Sequence, residues 1–401
     1  HTQGAINTDA IWAKVQGEWD RFSAAYTFDW TDMHGVPGGF QTRFLSPLLT
    51  SYYANTTGNP VLSQIRPEYN RDFSVTPMRR QHVRIVGHAL TMQVDISDAL
   101  ALKSITGRRT YKAALGNAYA PPGVFGPTPQ GIQEVKTYSA DAKDEYAQQF
   151  SQEFQALGKI NDFNYVIGFY YFQEKSTYFN PTSYTFVTSA TSGSNLSSNT
   201  SFDYQAKSYA AFGQTSWKPQ FLDEKLELTF GLRYTKDKKA VQQFASTVRD
   251  GKAKFDDTSI NAVISYKPTD GVMVYARYGT GYRSGGFNTR ATATQSFVFD
   301  PETAKTFEAG LKSQFLDNRV RLNLAGFYTD YKNLQVTQYL ATAAGGGGFT
   351  NNASAKFKGF EAELQAVPVR GLTLNASVGY VDPKYKEIFF IVPATPVPGH
   401  T

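Results

Sequence analysis

The sequence predicts an all-β chain, a transmembrane antiparallel β-barrel with about fourteen strands. Three observations carry this. Apolar and polar residues alternate over long runs, tight turns alternate with long polar connections, and no window is apolar enough for a spanning helix. A helix needs roughly 18 uninterrupted apolar residues to cross a bilayer. A spanning strand uses one residue in two, which suits a chain that is 15% aromatic at a mean hydropathy of −0.39.

The alternation is explicit in several stretches. In "LELTFGLRYT", Leu226, Leu228, Phe230, Leu232 and Tyr234 take one parity, and Glu227, Thr229, Gly231, Arg233 and Thr235 the other. A strand sends these sets to opposite faces. "VRLNLAGFYTDY" sets Val320, Leu322, Leu324 and Tyr328 against Arg321, Asn323, Phe327 and Thr329. "LTLNASVGY" and "GFEAELQA" repeat the pattern. These runs suggest strands of roughly 10 to 14 residues, beyond the globular mode of about 5 to 6 and long enough for a tilted membrane strand.

The connections alternate too. Tight turns are expected at "GEWDR", "DISDA", "GKIND", "KPQFLDE", "KPTDG", "FLDNR" and "PVRG". Between them lie long segments, read as extracellular loops at residues 35–78, 112–145, 173–204, 284–300 and 336–351. Short turns on one side and long loops on the other are the outer-membrane barrel pattern, and seven hairpins give fourteen strands.

The faces follow from charge. The apolar set meets lipid, with Tyr209, Trp217, Tyr234, Tyr266 and Tyr380 as interfacial girdles. The other set faces the lumen and carries both signs: Lys103, Glu153, Glu227, Arg233, Arg277, Glu308, Lys312, Arg321, Glu361 and Glu363. Facing hydrocarbon, an Arg or Lys at mid-bilayer would cost about 2 to 4 kcal/mol.

"YARYGTGYRSGGFN", Tyr275 to Asn288, looks like a phosphate loop, but such a loop needs a helix N-terminus after its glycines. The chain continues into "FNTRATATQSFVFDPE" without helical periodicity, so the stretch reads as the outer half of a strand entering a loop. Tyr278 and Tyr282 are then expected at the outer interface and Arg283 on the lumen side. "AAGGGG" is a loop tip. His82 and His88 share a parity but lie about 20 Å apart along a strand, too far for one metal, so no metal ligand set is assigned. Asp256-Asp257 and Asp144-Glu145 read as rim charges, and no nucleophile–base–acid arrangement argues for an enzyme. The absence of cysteine excludes a disulfide scaffold, and a net charge of +6 without a dense basic run gives no case for nucleic acid.

Taken in order, the strand texts resemble the barrel of a TonB-dependent outer-membrane receptor, of the siderophore-receptor-like type abundant in sphingomonad-like α-proteobacteria. The resembling segments run from "LALKSITGRRTY" through "QFSQEFQALGKINDFNYVIGFYYFQE", "SYAAFGQTSWKP" and "YKPTDGVMVYARYGTGYRSGGFN" to "NNASAKFKGFEAELQAVPVRGLTLNASVGY", covering most of residues 80–386. The resemblance implies a 22-stranded barrel filled by an N-terminal plug, energised through TonB with ExbB and ExbD, and no cofactor. On this alignment the chain is expected to begin near the fifth barrel strand and stop near the eighteenth, without the plug or the TonB box. The implied cargo is a ferric siderophore. Its expected contacts are the loop-side residues Tyr282, Arg283, Phe287 and Arg290, with Tyr52, Tyr53 and Arg66 in the longest loop, because aromatic and arginine side chains suit a flat anionic chelate. Rival readings are a passive porin-like channel, since an even count of fourteen strands can close alone, and uptake of cobalamin, a carbohydrate or an aromatic compound. A barrel protease or lipase would need a His-containing cluster at one rim.

Overall fold

The computed structural model describes residues 5–36, 44–56, 67–68, 79–115, 123–128, 131–139, 143–244, 248–289, 296–340 and 347–388. Fourteen strands form one antiparallel sheet. They are β1 (Ile6–Trp19), β2 (Phe22–Gly35), β3 (Gln81–Ser97), β4 (Leu100–Leu115), β7 (Lys143–Ile160), β8 (Phe163–Phe179), β11 (Phe202–Trp217) and β12 (Leu226–Gln243), followed by β13 (Asp250–Thr269), β14 (Val272–Arg283), β17 (Glu302–Phe315), β18 (Val320–Leu340), β19 (Gly347–Val369) and β20 (Leu372–Glu387). Each pairs with its neighbour in that order, and among the described residues β1 and β20 have one partner each. A closed fourteen-stranded pore would pair β1 with β20, and these strands do not.

All seven expected turns are present, and several use the left-handed backbone that a tight reversal demands. Asp20 (φ 45°) turns β1 into β2, Asn161 (φ 50°) turns β7 into β8, and Gly371 (φ 90°) turns β19 into β20. Asp and Asn tolerate this region better than other side chains, and glycine has no Cβ to oppose it. Several strands are longer than the sequence suggested: β13 has 20 residues, β18 has 21 and β19 has 23, because their pairing continues past the apolar belt.

The pairing registers sort the side chains into two sets on opposite faces. Arg233 lies opposite Ser259, Arg277 opposite Glu308, and Asn323 opposite Glu363, all on one face. On the other face Leu228 meets Ile264, Ala276 meets Ala309, and Phe360 meets Tyr380. Large apolar side chains there are open to the surroundings, among them Phe230, Phe307 and Val378. An aromatic group marks the turn end of the belt: Phe163 stacks on Trp217 at 5.8 Å and Trp19 on Phe22 at 5.8 Å. A second marks the loop end, where Tyr171 meets Tyr209 at 5.2 Å. From Trp217 back to Tyr209 is eight residues, about 26 Å of strand, or about 20 Å of height at a tilt near 40°. That is close to the roughly 25 Å band of a membrane barrel.

The long connections carry structure of their own. β5 (Gly123–Thr128) and β6 (Gly131–Ser139) join β9 (Pro181–Val187) and β10 (Gly193–Asn199) in a separate four-stranded sheet. Helix α1 (Pro47–Thr56) packs on it through Leu49 and Tyr52 against Val187. The connection between β14 and β17 forms the two-residue pair β15 (Gly286–Phe287) and β16 (Val298–Phe299).

Candidate functional site

The polar face of the wall is a continuous field of mixed charge. Lys103, Glu153, Glu227, Arg233, Arg277, Glu308, Lys312, Arg321, Glu361 and Glu363 all project to it by register. Its residues hold one another through short polar contacts. Tyr275 donates its hydroxyl to Glu308 at 2.7 Å, and Arg277 Nε donates to Asn261 at 3.0 Å. Lys218 lies 3.6 Å from Glu227, and the Arg233 guanidinium sits 5.4 Å above the rings of both Tyr170 and Phe212. Toward β20 the face opens. Arg321, Glu361 and Glu363 are exposed, and a polar hollow of about 310 Å³ lies between Arg321, Asn323, Glu363, Gln365, Asn375 and Ser377. Open charges of both signs on this face offer donors and acceptors to a polar filling.

At the loop end of this face, the segment that follows Gly279 is tied down by a set of hydrogen bonds. The β13–β14 ladder ends at the pair Asn261 and Gly279, and the next amide, Ile260 N, donates to the Thr280 hydroxyl at 2.8 Å. β14 stays on β17 up to Arg283 opposite Glu302. Beyond Gly279 it keeps its register on β17 but no longer has β13 as a partner. Tyr282, expected with Tyr278 at the outer interface, instead donates to Asp237 at 3.0 Å. Asp237 shares the polar parity of Arg233 and is 7% exposed. The expected interface position of Tyr282 is therefore corrected, while Tyr278 keeps to the apolar face opposite Phe307, the two rings tilted at 4.8 Å.

The connection then folds over the polar face of β12 and β13 and is fastened there. Lys239 Nζ donates to Gly285 O at 2.6 Å, and Gln243 donates to Thr289 O. Asn288, 5% exposed, donates to Ser296 O (3.0 Å) and Thr350 O (2.9 Å) and accepts from Thr350 N (2.7 Å). Gln335 and Asn352 both donate to Asp300 O at 3.2 Å. Two glycines of the Tyr275–Asn288 stretch now have a reason. A Cβ on Gly285 would lie 2.4 Å from Phe299 O and 2.6 Å from the Phe255 ring, and one on Gly286 would lie 2.6 Å from the Phe299 ring. Close backbone approach, not a phosphate, sets the residue type.

Of the expected cargo contacts, Arg283 is exposed and near enough to Lys239 for the two charges to repel. Phe287 is half-buried against Phe297 at 5.5 Å. Arg290 and Arg66 lie outside the described residues. Tyr52 and Tyr53 are 8% and 3% exposed, Tyr52 within the cluster of Leu49 and Val187, so neither ring is presented outward. Burial, with Tyr52 beside it, pushes the Tyr53 phenol up to about 12. Sequence reasoning missed Asp237, Lys239 and Asn288. Their parity was readable, but nothing local says that a loop some 45 residues away folds onto them.

A family model described as TonB dependent receptor-like, beta-barrel, matches residues 5–399. The probable TonB-dependent siderophore receptor PiuA of Acinetobacter baumannii is 32% identical over 165 residues, 39% of this chain and 21% of that protein. The metal-pseudopaline receptor CntO of Pseudomonas aeruginosa is 25% identical over 170 residues, 40% of this chain and 22% of that protein. The ferric yersiniabactin uptake receptor FyuA of Yersinia pestis superposes on 96% of this chain with a TM-score of 0.66 at 17% identity. The PiuA crystal structure does so on 95%, with a TM-score of 0.62 at 15% identity. The chain covers 53% and 57% of those two structures, so it spans just over half the length of the solved receptors. The family match, running over nearly every residue that builds this two-faced wall, makes the chain a member of the TonB-dependent receptor β-barrel family.

Proposed function

We propose that the chain forms part of the wall of an outer-membrane receptor that takes up a ferric siderophore, using energy delivered by TonB with ExbB and ExbD. The observation that carries this reading is the pair of opposed faces. An apolar belt between two aromatic girdles suits lipid, and the mixed-charge face opposite suits a plug domain held by hydrogen bonds and ion pairs. An open pore would show a more uniform charge field for its ions. The receptors it resembles, described as siderophore and ferric-chelate receptors, support iron chelates as the cargo class.

In this reading, the fastened connection beyond Gly279 is the outer lip of the cargo site. Arg283 and Lys239 supply positive charge at its base, partly balanced by Asp237 and Glu174. A rigid lip loses little freedom on binding, so less of its contact energy goes into ordering. The test is binding of ferric catecholate, hydroxamate and carboxylate chelates to the purified full-length protein. One class should bind, and Arg283→Gln should weaken it about 10- to 100-fold, the worth of a charge-assisted hydrogen bond of roughly 1.5 to 3 kcal/mol. Absence of binding by all three classes defeats the iron reading.

A further inference from the structure

The outward face of β2 and β3 carries a cluster that has no part in the cargo path. Asp32 and His34 are two residues apart on β2 and so share a face. The register places His82 of β3 opposite His34, and Arg84 opposite Asp32. His82 Nε2 lies 2.7 Å from Asp32 Oδ1, and His34 Nε2 lies 3.1 Å from Asp32 Oδ2. The two imidazoles stack with centroids 4.2 Å apart and an interplanar angle of 14°. The ligand atoms of all three residues fall within 4.8 Å of one another.

We propose that Asp32, His34 and His82 form a binding site for a late first-row divalent metal ion, zinc, copper or nickel, on the outer wall of the barrel. Two imidazoles and one carboxylate are a donor set that suits these ions and disfavours calcium and magnesium, which take oxygen ligands. With bonds of about 2.0 to 2.2 Å, tetrahedral coordination wants donor atoms roughly 3.3 to 3.6 Å apart. The cluster therefore closes by shifts on the order of 1 Å. Side-chain rotation supplies these, because the two histidine side chains are 57% and 44% exposed. The carboxylate between them is 13% exposed and is the fixed point of the group. A water or a loop group completes the shell.

Position favours an aqueous ion. Phe22, stacked on Trp19, marks the turn end of the belt on β2, and Trp30 on the same face is eight residues further. Asp32 and His34 lie just beyond it, at the level of the headgroups. The polar face of the same strand is separate, since Asp29 there pairs with Arg109 at 2.6 Å. β2 ends at Gly35 and β3 begins at Gln81, so a bound ion would tie together the base of the longest connection in the chain. Arg84 opposes binding, with its Nε 3.4 Å from Asp32 Oδ1, and Lys112 follows it in register on β4. These cations set a modest affinity and provide a control.

The experiment uses full-length protein in detergent, purified without a histidine tag, treated with a chelator and titrated with Zn²⁺, Ni²⁺ and Cu²⁺ by calorimetry. One saturable site is expected, with a Cu²⁺ resonance spectrum showing two nitrogen ligands. His34→Ala and His82→Ala should each weaken binding at least tenfold. Arg84→Gln should tighten it, which a purely structural hydrogen-bond network would not do. His88→Ala removes a histidine of the same face that contacts Tyr26 at 2.7 Å and should leave the titration unchanged. Wild-type protein without a saturable site, or a His34→Ala/His82→Ala protein that keeps it, overturns the proposal. Neither outcome touches the cargo reading, which rests on the opposite face.

Discussion

Phe230→Arg places a charge where the two-faced wall allows it least. Phe230 lies on the apolar face of β12, midway between Leu226 and Tyr234, and is 52% exposed. Four residues of strand at about 3.3 Å each, tilted near 40°, put it about 10 Å from either end of the belt. That is the mid-plane, where an arginine costs about 2 to 4 kcal/mol, a loss of about 30- to 700-fold in the folding constant. The same residue one position earlier on the polar face, Thr229→Arg, loses only the Thr229–Ser216 hydroxyl contact of 2.7 Å, worth about 0.5 to 1.5 kcal/mol. Tyr234→Arg at the belt edge should cost at most about 1 kcal/mol. Reversible urea unfolding of the full-length protein in lipid vesicles, followed by tryptophan fluorescence, measures all three. If Thr229→Arg is the more damaging, the faces are reversed. If all three cost the same, this strand does not cross lipid.

Other consequences follow from the loop end. Gly285→Val puts a side chain against Phe299 O and the Phe255 ring, and should destabilise the connection by about 1 to 3 kcal/mol, read as faster proteolysis there with the wall intact. Asn288→Ala removes three hydrogen bonds to Ser296 and Thr350, and should raise amide exchange at Thr350 by an opening cost of about 1 to 3 kcal/mol. Tyr282→Phe leaves the buried Asp237 without its phenol partner, and should lower thermal stability by about 1 kcal/mol or more. Tyr53 has a folded-state pKa raised to about 12 from 10.0, so its contribution is intact below pH 10 and is lost as pH climbs toward 12. Tyr53→Phe should flatten that alkaline loss in a circular-dichroism titration.

The wall was legible in the sequence because its rules are local. Period-two alternation fixed the faces from Leu226 to Tyr234, and Asp, Asn and Gly at the reversals fixed all seven turns. Features that depend on contact between distant segments were not legible. The Tyr282–Asp237 hydrogen bond forms just beyond the point where β14 leaves β13, and the strand text continues through that point unchanged. His34 and His82 lie far apart in sequence, so spacing along one strand relates His82 to His88 and not to the partner that the register gives it. Tyr52 and Tyr53 look like loop aromatics in the text. Their burial depends on a second sheet assembled from two other connections.

The most direct test of the proposed function is uptake of a ⁵⁵Fe-labelled chelate by iron-starved cells expressing the full-length protein, with and without TonB. An energised receptor predicts accumulation that requires TonB and falls with Arg283→Gln. Equal accumulation in cells lacking TonB would show passive passage through the barrel and contradict the account.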